Sequence, residues 1–342
     1  MTPEALPLAH LRAMTDERGL FEHARGDEPR RELGYCVDDV ARGLAVTARE
    51  DGRSAAAAAL TDCYLRFVES AVEADGRVHN RMSPAGDWVD EPDVGDWWGR
   101  AVWGLGVAAR RSGRGSVRRR AADAFVRAAG ARSPWLRARC FAALGAAELV
   151  DGEGTDAAAR VLLIDAVDAI AAHRPARSGW RWPEPRLRYA NAVLPEALIA
   201  AGHALGDDAL IDRGASLLRV LVSIETASDG HLSLTPVGGR GPGDARPAFD
   251  QQPIEAGALA QACARAIEAT GDDGWLVPLR AAWDWFEGRN DVGIPLFDAA
   301  TGAGYDGLTP TSRNDNRGAE STLAALATLQ CLQRATAAVG TS

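Results

Sequence analysis

Two alternating kinds of helical pattern run down the whole chain, and they constrain its fold more than any other feature. Apolar residues recur at i, i+3, i+4 and i+7, and no period-two stretch longer than a few residues competes with them. Charge-studded helices are expected at about 4–14, 54–73, 115–129, 154–172, 207–223 and 273–288. They alternate with Ala/Leu-rich helices near 38–49, 97–110, 134–149, 190–204, 252–268 and 318–337. The second set (AVWGLGVAA, CFAALGAAEL, LPEALIAAG, ESTLAALATL) is apolar on most faces, so its members must be buried all round. Six such helices inside six surface helices form an all-α (α/α)6 toroid, expected as one domain over residues 1–342. An open solenoid is the alternative, but solenoid repeats keep a near-constant period and the spacings here vary.

That variation collects in the loops before the inner helices, from TDERGLFEHARGDEPRRELGYCVDD to FDAATGAGYDGLTPTSRNDNRGAES. Connections on the other face, such as REDGRS, RSGRGS and LGDD, are short turns. Long ordered loops are uncommon unless they carry function, so the site belongs on the long-loop face.

Composition narrows the chemistry. The net charge of −9 would repel a phosphate backbone, which removes nucleic acid as a partner. Every basic residue is Arg, so lysine Schiff-base chemistry is impossible. The five cysteines are scattered, mostly through apolar helical sequence, without zinc-site spacing or an HExxH pair; free buried thiols and no metal or other cofactor are expected. No apolar run approaches the roughly 20 residues of a membrane span. MTPEALPLAH has neither a basic nor an apolar signal region, and the reading is a cytoplasmic protein.

Acids stand at the starts of the inner helices. Asp38 and Asp39 follow Tyr35 and precede Arg42; Asp96 precedes Trp97, Trp98 and Arg100; Glu184 follows Trp180 and Trp182 and precedes Tyr189 and Asn191. Asp250 precedes Gln251 and Gln252, and Glu320 follows Asp306 and Asn316. Helix capping and an Asp39–Arg42 pair are the plain explanation of any one of these. Five acid clusters beside aromatic or amide groups, at five inner-helix starts, point instead to carbohydrate. A pyranose offers apolar faces to aromatic rings and hydroxyls to carboxylates and amides. Asp38, Asp39, Asp96, Glu184 and Asp250 form the pool for a general acid and a base, with Trp97, Trp98, Trp180 and Trp182 as stacking platforms; His23, Tyr35, Arg42, His79, Asn80, Arg100, Tyr189, Asn191, Gln251, Gln252, Asp306, Asn316 and Glu320 are the expected substrate-binding groups. His23 and His79-Asn80 lie in the long loops; two histidines reaching one funnel would open sugar epimerisation. Trp103, Trp283 and Trp285 are expected in the core, and His10, His173 and His203 without a role. Magnesium-pyrophosphate chemistry is disfavoured, because Asp38-Asp39 lacks the further acid it needs.

GYCVDDVARGL, HNRMSPAGDW with GRAVWGLG, WRWPEPRLRYANAVLPEALIAAG, FDQQPIEAGAL and YDGLTPTSRNDNRGAEST together resemble an uncharacterised bacterial all-helical domain. That domain is often fused behind, or encoded beside, glycosyltransferases. More distantly the chain resembles the six-hairpin glycosidase superfamily, over about residues 10–335. The resemblance implies a toroid, an oligosaccharide or polysaccharide ligand on the long-loop face, and a glycosyltransferase as candidate partner. The family pattern has Asn where Val40 stands, and an acid, a small polar residue and His where Asp96, Trp97 and Trp98 stand. A glycoside hydrolase is the leading expectation; a non-catalytic saccharide-binding partner of a glycosyltransferase and a sugar epimerase are the alternatives.

Overall fold

Why the chain closes into a ring follows from where its small residues fall. The computed structural model describes residues 5–150, 155–173 and 179–339. Its inner helices are α2 (Val37–Ala48), α4 (Asp96–Arg111), α6 (Leu136–Ala147), α8 (Val193–Leu205), α10 (Pro253–Thr270) and α12 (Ala319–Val339). Each packs on the next, and α12 packs back on α2, which excludes the open solenoid. The outer wall is α1 (Ala9–Ala13), α3 (Ala55–Ala71), α5 (Gly115–Ala128), α7 (Asp156–Ala172), α9 (Asp208–Glu225) and α11 (Leu276–Phe286). The result is an (α/α)6 toroid, as the two helix classes require.

The tightest inner crossing is built on glycine. A Cβ on Gly99, Gly106 or Gly145 would come 2.3 Å from a backbone carbonyl oxygen of the opposite helix, so α4 and α6 can approach this closely only without side chains there. Around the ring, Leu44, Leu105, Leu144 and Leu198 are buried in one continuous apolar core. Truncating one of them to Ala should cost about 2–5 kcal/mol. Trp103, Trp283 and Trp285 join that core, as expected. Four cysteines are buried, Cys331 is partly so, and all five are free thiols.

Helix ends depart from the pattern where local chemistry intervenes. α1 runs five residues instead of eleven because Pro7 disfavours extension toward the N-terminus. The segment expected from 273 opens as a 3-10 turn, Asp273–Trp275, with Asp272 accepting from Gly274 N–H. Ala190 takes a left-handed φ of 46°, and α8 therefore starts at Val193 instead of 190. Residues 4 and 154, the expected first residues of two outer helices, lie outside the described residues. Two-residue ladders stitch the long loops together, among them Tyr35–Cys36 with Arg81–Met82 and Gly307–Leu308 with Arg313–Asn314. Among the described residues no helix is long and apolar enough to cross a membrane.

Candidate active site

The starts of α2, α4 and α12 and the loop before α10 meet around a cavity of about 520 Å³ on the long-loop face. Asp38, Asp39, Asp96, Trp97, Gln252, Asp306 and Glu320 line it, with His23 and Asn80 from the loops. N-cap hydrogen bonds do not account for Asp38, Asp39 and Asp96. None of α2, α4, α6, α8 and α10 has a side-chain cap at its N-terminus, whereas the outer helices α3 and α9 are capped by Ser54 and Asp207.

One buried cation organises this mouth. The Arg42 guanidinium pairs with Asp38, with Asp39 at 3.1 Å and with Glu320 at 2.7 Å. Burial works against its charge, but the three carboxylates outweigh burial and raise its pKa. Arg100 lies beside it, 3.5 Å from Asp38, with its guanidinium carbon 3.6 Å from the centre of the Phe141 ring. Its Nε and Nη2 are buried without a hydrogen-bond partner. Burial, then repulsion from Arg42, lowers its pKa to about 10, so it remains cationic at neutral pH.

The acids sit in contrasting environments. Desolvation pushes the Asp39 carboxyl well above the usual carboxylate range; Arg42 opposes this, while Asp38, Glu320 and Glu22 reinforce it. Burial also raises Asp96, opposed chiefly by Arg100. Asp38 is half-buried and ion-paired. A desolvated acid beside a second carboxylate on the same guanidinium is an arrangement that general acid/base chemistry uses.

Other candidates have structural duties. Asp306 Oδ1 accepts from Gly318 N–H and from the Ser321 hydroxyl, both at 2.8 Å, which fixes the turn into α12. Asn80 Oδ1 accepts from the Cys36 thiol at 3.2 Å and from Asp38 N–H at 3.4 Å. Tyr35 is buried and donates to Asp16 at 2.7 Å, behind the cavity wall. Asn316 accepts from Gly26 N–H at 3.0 Å and positions a loop.

In the other half of the ring, the acid and amides singled out from sequence are tied into buried bonds. Arg137 grips Glu184 with two hydrogen bonds of 2.8 and 2.7 Å and reaches Tyr189 O at 2.7 Å, so Glu184 is a buried tie outside the cavity wall. Burial opposes ionisation of Glu184, but Arg137 outweighs it and lowers the pKa. The exposed Tyr189 ring lies over the Arg137 guanidinium. Asn191 donates to Glu255 at 2.9 Å, while Gln251 donates to Asp291 at 2.5 Å and accepts from Trp285 at 3.2 Å; both amides are fully buried. Asp250 is exposed and lines none of this cavity, since the loop before α10 presents Gln252 instead.

Of the four proposed stacking platforms, Trp97 alone lines the cavity, its indole N–H held by Val78 O at 2.7 Å. Trp98 and Trp182 are 0% exposed and have no free face. Trp98 donates to Ala128 O at 3.0 Å, because successive helix residues point about 100° apart. Trp180 is half-buried and donates to Glu184 O at 2.7 Å, outside the cavity lining. His79 stacks on Trp88 between Asp90 and Glu73 and stays out of the cavity, so the two histidines do not pair.

Glu22 and Arg81, ion-paired with each other, also line the cavity and were not singled out from sequence. They come from different hairpins, and no local pattern joins them. Glu22, Cys36 and Asp39 each place a possible donor atom within 4.8 Å of the others, the one such trio among the described residues. Desolvation raises both Cys36 and Asp39, and Cys36 already bonds Asn80, so the trio forms a hydrogen-bonding wall.

Known structures share this architecture. A cellobiose 2-epimerase from Bacillus thermoamylovorans superposes with a TM-score of 0.70 and 10% identity, covering 97% of this chain and 96% of that one. A sugar epimerase from a ruminal bacterium gives 0.67 and 13%, covering 97% and 95%. A GH76 α-mannanase from Bacteroides thetaiotaomicron gives 0.65 and 12%, covering 97% and 95%. Identity this low establishes the fold and leaves the chemistry to the site. No protein-family model and no curated protein matches the sequence.

Proposed function

We propose that this protein is a carbohydrate-active enzyme that cleaves a glycosidic bond at the acidic mouth. The observation that carries this reading is the desolvated Asp39 next to Asp38, both ion-paired with Arg42, inside one 520 Å³ cavity. Asp39 would protonate the leaving oxygen, and Asp38 would act as base or nucleophile. Trp97 would stack on a pyranose face, while Asp96, Gln252 and Glu320 would bind hydroxyls.

Epimerisation is the second reading, supported by His23 in the cavity wall and by the sugar epimerases that share the fold. With His79 elsewhere, His23 would work with a carboxylate instead of a second histidine. The non-catalytic reading loses one motive: Val40 and Trp98 are both 0% exposed, so those two replacements take nothing from the cavity wall. A cytoplasmic location and a glycosyltransferase partner remain part of the proposal and rest on the sequence.

Proton NMR of a panel of oligosaccharides in deuterated buffer tests these readings. Hydrolysis gives new reducing-end signals, whereas epimerisation gives deuterium at a sugar carbon. The expected result is reducing-end release by the wild type, absent in Asp39→Asn. Saccharide binding with neither outcome over long incubation would overturn the enzyme reading.

A further inference from the structure

At the opposite end of the ring, where the inner helices finish, a second cavity of about 260 Å³ lies among arginines. Arg49, Arg111, Arg265 and Arg334 line it, against Glu148, Glu196 and Glu268. Two of these cations are accounted for. Arg265 and Arg111 clamp Glu148 at 2.8 and 2.6 Å, and both also reach Glu268, at 3.0 and 3.2 Å.

The other two are not. Arg49 spends one N–H on Ala45 O at 3.0 Å, an intrahelical bond that answers a carbonyl at the end of α2. Among the described residues, neither Arg49 nor Arg334 has a carboxylate within 4.0 Å, and Arg49 has no second hydrogen bond. Burial lowers the Arg49 pKa; Glu148 opposes this, while Arg334 and Arg265 reinforce it. The half-buried Arg49 guanidinium thus faces Arg334 and Arg265 as well as Glu148 across the cavity, with N–H groups open to solvent and free to take a further acceptor.

We infer that this second mouth is a binding site for a small oxyanion carrying a phosphate group, held in the fork of Arg49 and by Arg334. Planar guanidinium donors match phosphate oxygens in pairs. The cavity is slightly below the usual range for drug-sized ligands, which suits a compact anion. The site lies apart from the acidic mouth and does not depend on the chemistry proposed there.

Titration calorimetry on the full chain, with inorganic phosphate and then pyrophosphate as probes, tests the inference. Saturable binding is expected at one site per chain, weakened at least tenfold by Arg49→Gln and by Arg334→Ala. The exposed, unpartnered Arg334 can be removed without harm to the fold, so that variant is informative even if Arg49→Gln misfolds. Arg119→Ala, on the exposed face of α5, should bind as the wild type does. Absence of saturable binding by the wild type, or equal binding by Arg334→Ala and Arg119→Ala, would overturn the site. Tighter binding of citrate than of either phosphate probe would overturn the phosphate assignment.

Discussion

The two mouths of the ring carry opposite charge. At the inner-helix starts, Glu22, Asp38, Asp39, Asp96, Asp306 and Glu320 surround a 520 Å³ cavity. At the inner-helix ends, four arginines outnumber three glutamates around 260 Å³. The peptide dipoles favour this arrangement, since helix starts attract anions and helix ends attract cations. The dipoles do not explain the difference in size, which comes from the connections. Long loops before α2, α4 and α12 build walls around one mouth, whereas helix ends line the other.

The largest expected effect comes from removing the cation under the acidic mouth. Arg42→Met leaves three carboxylates facing one another in a buried setting; about 3–5 kcal/mol of stability should be lost in urea denaturation, along with turnover. If Arg42→Met is as stable as the wild type, the acidic mouth is not organised by that cation.

Next comes the Arg137–Glu184 tie on the other half of the ring. Glu184→Gln strips one partner from the Arg137 clamp and should cost about 3 kcal/mol, while the folded fraction turns over substrate at the wild-type kcat. A kcat defect without a stability defect would move Glu184 back into the catalytic machinery.

Glu196 sharpens the comparison from the other end. It is buried on the wall of the second mouth, and burial raises its pKa from 4.5 to about 7. A carboxyl whose folded pKa is raised keeps its proton when the unfolded chain has already lost it. Stability therefore falls as pH rises from about 4.5 to about 7 and is level above that. Glu196→Gln should remove the fall, making the variant more stable than the wild type at pH 8 by up to about 3 kcal/mol and equal to it near pH 4. Parallel stability curves for the two proteins would show that Glu196 does not titrate in this window.

The smallest effect is at the stacking surface. Trp97→Ala should raise KM about tenfold, equivalent to about 1.4 kcal/mol, with kcat little changed, whereas Trp98→Ala should act on stability alone.

Much of this architecture was legible in the sequence because helix class is a one-dimensional signal. All-round apolar runs marked α4, α6, α8 and α12, and the long connections marked the functional face. Which acids share a cavity was less legible. Asp38, Asp39 and Asp96 sit in the first turns of α2 and α4, where periodicity fixes direction, and they do converge. Asp250 and Glu184 sit in irregular loops, where a shift of one or two residues decides what faces inward; Gln252 takes the inward place in one loop, and Arg137 captures the acid in the other. Trp97 and Trp98 differ by a single helical step, which separates a cavity wall from the core. Glu22 and Arg81 meet through a ladder of two-residue strands, too short to leave a periodic trace.

The most direct test of the acidic mouth is the comparison of kcat/KM for Asp39→Asn and Asp250→Asn on any saccharide the wild type converts, with folding checked by circular dichroism. Loss of about 10²–10⁴-fold in Asp39→Asn, beside wild-type rates in Asp250→Asn, is the predicted result. Wild-type rates in Asp39→Asn, or a collapse confined to Asp250→Asn, would contradict it.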